Sequence, residues 1–110
     1  MTPEILEIER EVDQLRSDGK FPEAIEKMKQ TLELDAKFVR AHLTLSVLYG
    51  KVDDFAKSVE HAEKAVELEP NDRFNFTALS ETYRRAFEGT RDQSFIQKAE
   101  DAMARANSGG

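Results

Sequence analysis

The chain has 110 residues, of which 39% are hydrophobic and 35% charged, and these proportions suit one helical domain rather than a disordered chain. The absence of cysteine excludes disulfides, thiolate metal sites and a cysteine nucleophile. A net charge of −6 argues against nucleic acid as a partner, and no apolar run is long enough to cross a bilayer, so we expect no membrane partner and a cytoplasmic protein.

The first two predicted helices have recognisable start and stop residues. Thr2 is a good N-cap and Pro3 suits the first helical turn, so helix one begins there. Its apolar residues recur at spacings of three and four, as in an amphipathic helix. Gly19 ends the helix because glycine takes the left-handed conformation that follows many helices. Helix two then opens near Pro22 and runs to about Leu34.

The remaining four helices follow with short turns between them. Helix three, over about residues 37–51, is apolar nearly all round, which places it at the centre with neighbours on several sides. Gly89-Thr90-Arg91 breaks helix five, and no period-two run indicates a strand. The sequence therefore predicts an all-α fold of about six antiparallel helices in residues 1–107, with a flexible tail at 108–110. The other predicted helices span about 55–68, 73–88 and 92–106.

The first two hairpins repeat with a period of 34 residues. The segment Gly19-Lys-Phe-Pro-Glu-Ala-Ile-Glu aligns with Asp53-Asp-Phe-Ala-Lys-Ser-Val-Glu, and Leu32-Glu-Leu-Asp-Ala aligns with Val66-Glu-Leu-Glu-Pro. Two paired helices per 34 residues is the tetratricopeptide pattern, so the chain resembles that repeat family. The family implies a superhelix of stacked helical hairpins.

The resemblance differs in quality along the chain. The segment from Ala62 to Asn71, in the second repeat, looks like the family pattern itself. The first repeat has Glu11 where the family has leucine, and terminal repeats are often atypical. The third repeat diverges after Phe87, which leaves the register of its last helix open. The repeats that the resemblance implies are 5–38, 39–72 and 73–106.

The same resemblance implies a binding groove. Stacked hairpins rotate slightly from one to the next and so form a concave channel, which in this family is lined by the first helix of each repeat. A protein or peptide partner is expected to bind there. The residues that we expect to line the groove are Leu6, Glu9, Asp13, Arg40, Leu43, Val47, Phe74, Thr77, Glu81 and Arg84.

The centre of this groove is apolar, through Leu43, Val47 and Phe74. Exposed apolar patches mark interaction sites, so we expect an extended or helical peptide to dock there through an apolar anchor. A competing interpretation is that these three residues pack against helix six or against a second copy of the chain.

The charged residues of the groove bear on the kind of partner. One end is acidic, through Glu9 and Asp13, while Arg40 and Arg84 add donors suited to carboxylates. Chaperone-binding members of the family hold a peptide's terminal carboxylates with a clamp of Lys, Asn and Arg. Two acidic residues in the clamp would repel that ligand, so we expect this chain not to be a carboxylate-clamp chaperone binder. The residues at the clamp positions are Glu9, Asp13, Thr44, Phe74 and Ala78.

No catalytic or metal-binding motif is present in the sequence. There is no glycine-rich phosphate loop, no GxSxG and no HExxH. His42 takes the large packing position of its repeat, and His61 is expected to face solvent. We therefore expect no enzyme, no cofactor and no metal, but a protein–protein interaction scaffold. The alternatives are a self-associating homodimer, which would cover the ends of the array, or a fragment of a larger repeat protein.

Overall fold

The computed structural model describes residues 2–108, and within this range the chain is helical with no strand. All six helices begin and end within about two residues of the predicted bounds. Of the predicted tail, Ser108 forms a turn, and Gly109 and Gly110 lie outside the described residues. The helices are α1 Pro3–Ser17, α2 Phe21–Leu34, α3 Val39–Lys51, α4 Phe55–Leu68, α5 Arg73–Thr90 and α6 Ser94–Asn107.

Consecutive helices pair into three hairpins, which then stack. The hairpins are α1 with α2, α3 with α4, and α5 with α6, and they meet through α2–α3, α4–α5 and α3–α5 contacts. Because α3 packs against α2, α4 and α5, its predicted central place is confirmed. Over residues 2–108, α1 and α3 have no Cα atoms within 8 Å of each other, so any link between these two helices runs through long side chains.

Polar side chains cap the helices where the sequence predicts a start. The hydroxyl of Thr2 accepts a hydrogen bond from the Ile5 amide at 3.2 Å, as expected for an N-cap. Asp72 accepts from the Phe74 amide at 2.9 Å and so sets the start of α5. Gly19 follows α1 with a φ of 74°, the left-handed conformation that glycine adopts without steric cost. These local interactions set where the helices begin and end, independently of contacts between distant residues.

The end of α5 differs from the prediction. The helix continues through Gly89 to Thr90, and Arg91 takes the left-handed conformation in place of the glycine, with a φ of 61°. Gly89 serves another purpose, because a Cβ atom there would overlap the ring of Phe55 at the start of α4. The glycine therefore allows α5 to approach α4 closely. The local sequence does not distinguish a glycine that ends a helix from one that permits such an approach.

Two apolar clusters form the core, and a small polar seam joins them. One cluster lies among α1, α2 and α3, and the other among α4, α5 and α6. Where α3 crosses α4, the hydroxyl of Ser46 donates to the Ser58 carbonyl at 2.8 Å, and the hydroxyl of Ser58 donates to the Ser46 carbonyl at 2.7 Å. Small side chains that satisfy each other let the backbones approach closely without leaving buried polar groups unpaired.

Candidate protein-interaction surface

The residues expected in the groove lie on three helices, α1, α3 and α5. Helical periodicity puts Leu43 and Val47 on one face of α3, where both are partly buried. Phe74 lies in the first turn of the neighbouring helix α5. Since α3 packs directly against α5, we expect these three side chains to share one surface, which we call the α3–α5 face.

Phe74 is the most exposed large hydrophobic residue of the described chain. Its side chain is 83% exposed, whereas the next, Leu34, is 52% exposed. Complete burial of a phenylalanine side chain stabilises by about 1.5–3 kcal/mol. Burial of this ring by a partner would therefore stabilise the complex by up to that amount. Its amide is held by Asp72, so the backbone that presents the ring is fixed.

The competing interpretation, packing within the chain, does not hold for Phe74, which is 83% exposed. Helix α6 packs against α5 and has no Cα atom within 8 Å of α3 among the residues described. Leu43 and Val47 are partly buried, and for them this interpretation stays open. A second copy of the chain, the other part of that interpretation, stays a prediction.

A bidentate ion pair joins α1 to α3 across the groove. The Nε and Nη2 atoms of Arg40 donate to the two carboxylate oxygens of Glu9, at 2.9 and 2.7 Å. This hydrogen bonding raises the pKa of the Arg40 guanidinium above its ordinary value. Glu9 and two of the Arg40 donors are therefore engaged with each other, while the binding of a partner by either residue stays a prediction. The pair spans 31 residues of sequence, which no local pattern reveals.

The other charged groove residues make no such pair. Asp13 and Arg84 are exposed and Glu81 is partly buried, and none forms a side-chain hydrogen bond or ion pair in the part of the chain that the structure describes. Thr77 donates its hydroxyl to the Arg73 carbonyl at 3.2 Å, so its polar group is used within α5. Leu6, on α1, is 43% exposed. The charges that remain for a partner are thus both acidic and basic.

A cleft of about 810 Å³ lies between α1 and α2, and none of the expected groove residues lines it. Extended peptides dock along open surfaces, so the cleft's size alone does not make it the better candidate. Throughout residues 2–108, no three His, Asp or Glu side chains converge as metal ligands. Within that same range, no helix is both long and apolar enough to cross a membrane.

One histidine is more buried than the sequence predicts. His61 does not face solvent fully, but is half-buried and stacks on Tyr49 with 5.5 Å between ring centroids. It also contacts His42, whose ring is buried. Both residues occupy ordinary helical positions, and only the packing of α4 on α3 brings them together.

Comparisons with known proteins place the fold. No family model matches the chain, and no curated protein is similar to it. Among solved structures, it is similar to the TPR2AB domain of yeast Sti1 in its pHSP90 complex, with a TM-score of 0.65, 15% identity, and coverage of 96% of this chain and 48% of that one. It is equally similar to the TPR2B domain of yeast Sti1 in its pHsp70 complex, with a TM-score of 0.65, 14% identity, and coverage of 97% and 98%.

These similarities bear on the predictions unequally. Because both neighbours are complexes with pHSP90 or pHsp70, they give no support to the exclusion of a carboxylate clamp, which stays a prediction. Identities of 14–15% establish the fold alone. The chain has the all-α, tetratricopeptide-type architecture, a superhelix of helical hairpins.

Proposed function

We propose that this chain is a non-catalytic scaffold that binds a peptide or protein segment along the concave surface of α1, α3 and α5. The observation that carries the proposal is the exposure of Phe74 in the first turn of α5, a helix that packs against α3, which carries Leu43 and Val47. An aromatic side chain presented by a fixed backbone, next to partly buried aliphatic residues, resembles the anchors that dominate protein interfaces. The solved neighbours are themselves complexes, which agrees with a binding role for this architecture.

The repeat assignment forms part of this proposal. We infer one domain over residues 1–107 with three repeats, at 5–38, 39–72 and 73–106, the third being divergent. The extension of α5 beyond its predicted end supports a divergent third repeat. In this arrangement the α3–α5 face joins the second and third repeats, and the Glu9–Arg40 pair joins the first and second.

The charges favour a partner of mixed character rather than a terminal carboxylate. Arg40, which could attract such a group, is already held by Glu9. Asp13 and Glu81 have no ion-pair partner among residues 2–108, and the chain carries a net charge of −6. Complementary charge guides association and selects partners more than it adds affinity. The proposed ligand is therefore a segment with an apolar anchor and a neighbouring basic residue, and not a carboxylate-clamp chaperone peptide.

A matched pair of variants tests the proposal. Phe74→Glu puts a negative charge on the α3–α5 face. Ile96→Glu introduces the same charge elsewhere, at a residue that is 43% exposed and also lies in the first turn of its helix. The proteins would be used as bait for affinity capture with quantitative mass spectrometry, after circular dichroism shows that both are folded. We expect a protein recovered with the wild type to be lost with Phe74→Glu and retained with Ile96→Glu.

Two other results would change the conclusion. Equal recovery with all three baits would refute binding at the α3–α5 face. A wild-type dimer that light scattering shows to dissociate in Phe74→Glu, with no other protein lost, would favour the self-associating alternative.

A further inference from the structure

The two histidines of the chain form a direct contact that fastens three elements together. The Nδ1 atoms of His42, on α3, and His61, on α4, lie 3.0 Å apart. The Nε2 atom of His42 lies 3.0 Å from the carbonyl oxygen of Ala36, in the turn between α2 and α3. His42 is only 6% exposed, and the His61 ring stacks on Tyr49 with an interplanar angle of 7°. The pair therefore holds α4 and the α2–α3 turn to α3.

Hydrogen-bond chemistry assigns the protons of this pair. The Ala36 carbonyl can only accept, so Nε2 of His42 carries a hydrogen and donates it. In neutral His42 the other nitrogen, Nδ1, is then an acceptor, and Nδ1–H of His61 donates to it. When both rings are doubly protonated, both Nδ1 atoms become donors. The hydrogen bond is then lost and two cations face each other at short range.

The surroundings of His61 oppose its positive charge. Burial is the largest influence and lowers the pKa of His61 below its ordinary 6.5, and His42 lowers it further. Glu60 acts in the opposite direction, while Lys57 on the same helix and Lys29 on α2 add to the lowering. A cleft of about 410 Å³ beside the pair admits solvent. The remaining titratable groups near the pair are Tyr49 of α3 and Glu63, Lys64 and Glu67 of α4.

We propose that the His42–His61 pair is a pH-sensitive contact. It holds α4 and the α2–α3 turn to α3 at neutral pH and releases them on mild acidification. A histidine whose charged form is disfavoured in the folded state stabilises it above pH 6.5, and this stabilisation is lost as the pH falls below that value. Because α3 also carries Leu43 and Val47, release would loosen the α3–α5 face. The inference is independent of the proposed function, since it concerns the folded chain alone.

The first test measures stability against pH. Urea unfolding of the wild type and of His61→Gln would be followed at pH 7.5, 6.5 and 5.5. A glutamine amide can still donate to Nδ1 of His42 but does not titrate, and every carboxylate is common to both proteins. We expect the folding constant of the wild type to fall by about fivefold more than that of the variant, the change that corresponds to one ordinary hydrogen bond. Parallel pH dependence of the two proteins would overturn the proposal.

The second test does not depend on a variant that folds. Because the chain contains only two histidines, ¹⁵N imidazole NMR of the wild type resolves both rings. At pH 7.5 we expect His42 as the Nε2–H tautomer and His61 as the Nδ1–H tautomer, with α4 amides losing exchange protection as the pH falls below 6.5. If both rings show averaged tautomers and titrate like free imidazole, the proposed pH-sensitive contact is refuted.

Discussion

The hydroxyl of Thr31 offers a sharp test of how the core is packed. Thr31 lies on α2 with 0% exposure, and its Oγ1 atom has no hydrogen-bond partner among the residues described. A buried hydroxyl without a partner costs about 1–3 kcal/mol in mutational data. Thr31→Val replaces the hydroxyl by a methyl group of nearly the same shape, and valine has about the same helix propensity as threonine. We therefore expect the variant to be more stable by about 1 kcal/mol.

Thr82 provides the control, because its hydroxyl is hydrogen-bonded whereas that of Thr31 is not within the described chain. It is also buried, but its hydroxyl donates to the Ala78 carbonyl at 2.8 Å and lies 3.3 Å from the hydroxyl of Ser46. Thr82→Val removes these bonds and leaves the Ser46 hydroxyl with fewer partners, so we expect a loss of about 1 kcal/mol. The same substitution thus changes stability with opposite sign at the two positions.

The assay is urea unfolding at pH 7.5 with a thermal melt beside it. For a chain of this size, 1 kcal/mol corresponds to a change of about 4 °C in Tm. Destabilisation by Thr31→Val, or equal effects of the two variants, would refute the conclusion that the Thr31 hydroxyl is unsatisfied.

Two further sets of variants test the contacts between helices. A double-mutant cycle of Glu9→Gln and Arg40→Gln should give a coupling of at most about 1 kcal/mol, since the Arg40 side chain is 59% exposed, and it should shrink in 1 M salt; a salt-independent coupling would contradict this. Gly89→Ala should destabilise by about 1 kcal/mol, because overlap with Phe55 outweighs the gain in helix propensity. Phe55→Leu in the same chain should restore the loss, and a more stable Gly89→Ala single variant would contradict the close approach.

Much of the fold could be predicted because its signals are local. Thr2 and Gly19 act on backbone atoms within a few residues, so their roles are legible from neighbouring sequence. The apolar spacing of each helix depends only on helical geometry. The surrounding of α3 by neighbours also followed from its composition, since a helix that is apolar nearly all round needs partners on several sides.

The candidate surface was predicted less completely. The positions of Leu43, Val47 and Phe74 in the repeat indicated one surface, but only the structure shows that Phe74 is exposed while Leu43 and Val47 are partly buried. The charge pattern along the sequence did not indicate that Arg40 and Glu9 form an ion pair with each other.

The sequence by itself determined the six helices, caps such as Thr2 and Gly19, and the 34-residue spacing of the first two hairpins, because each rests on interactions between residues close in the chain. Only the tertiary structure decided the contacts between helices: the Glu9–Arg40 pair, the approach of Phe55 to Gly89, and the His42–His61 pair. Their physical reason is common to all three. Each depends on the distance and rotation between two packed helices, and the pattern along either helix contains no information about those quantities.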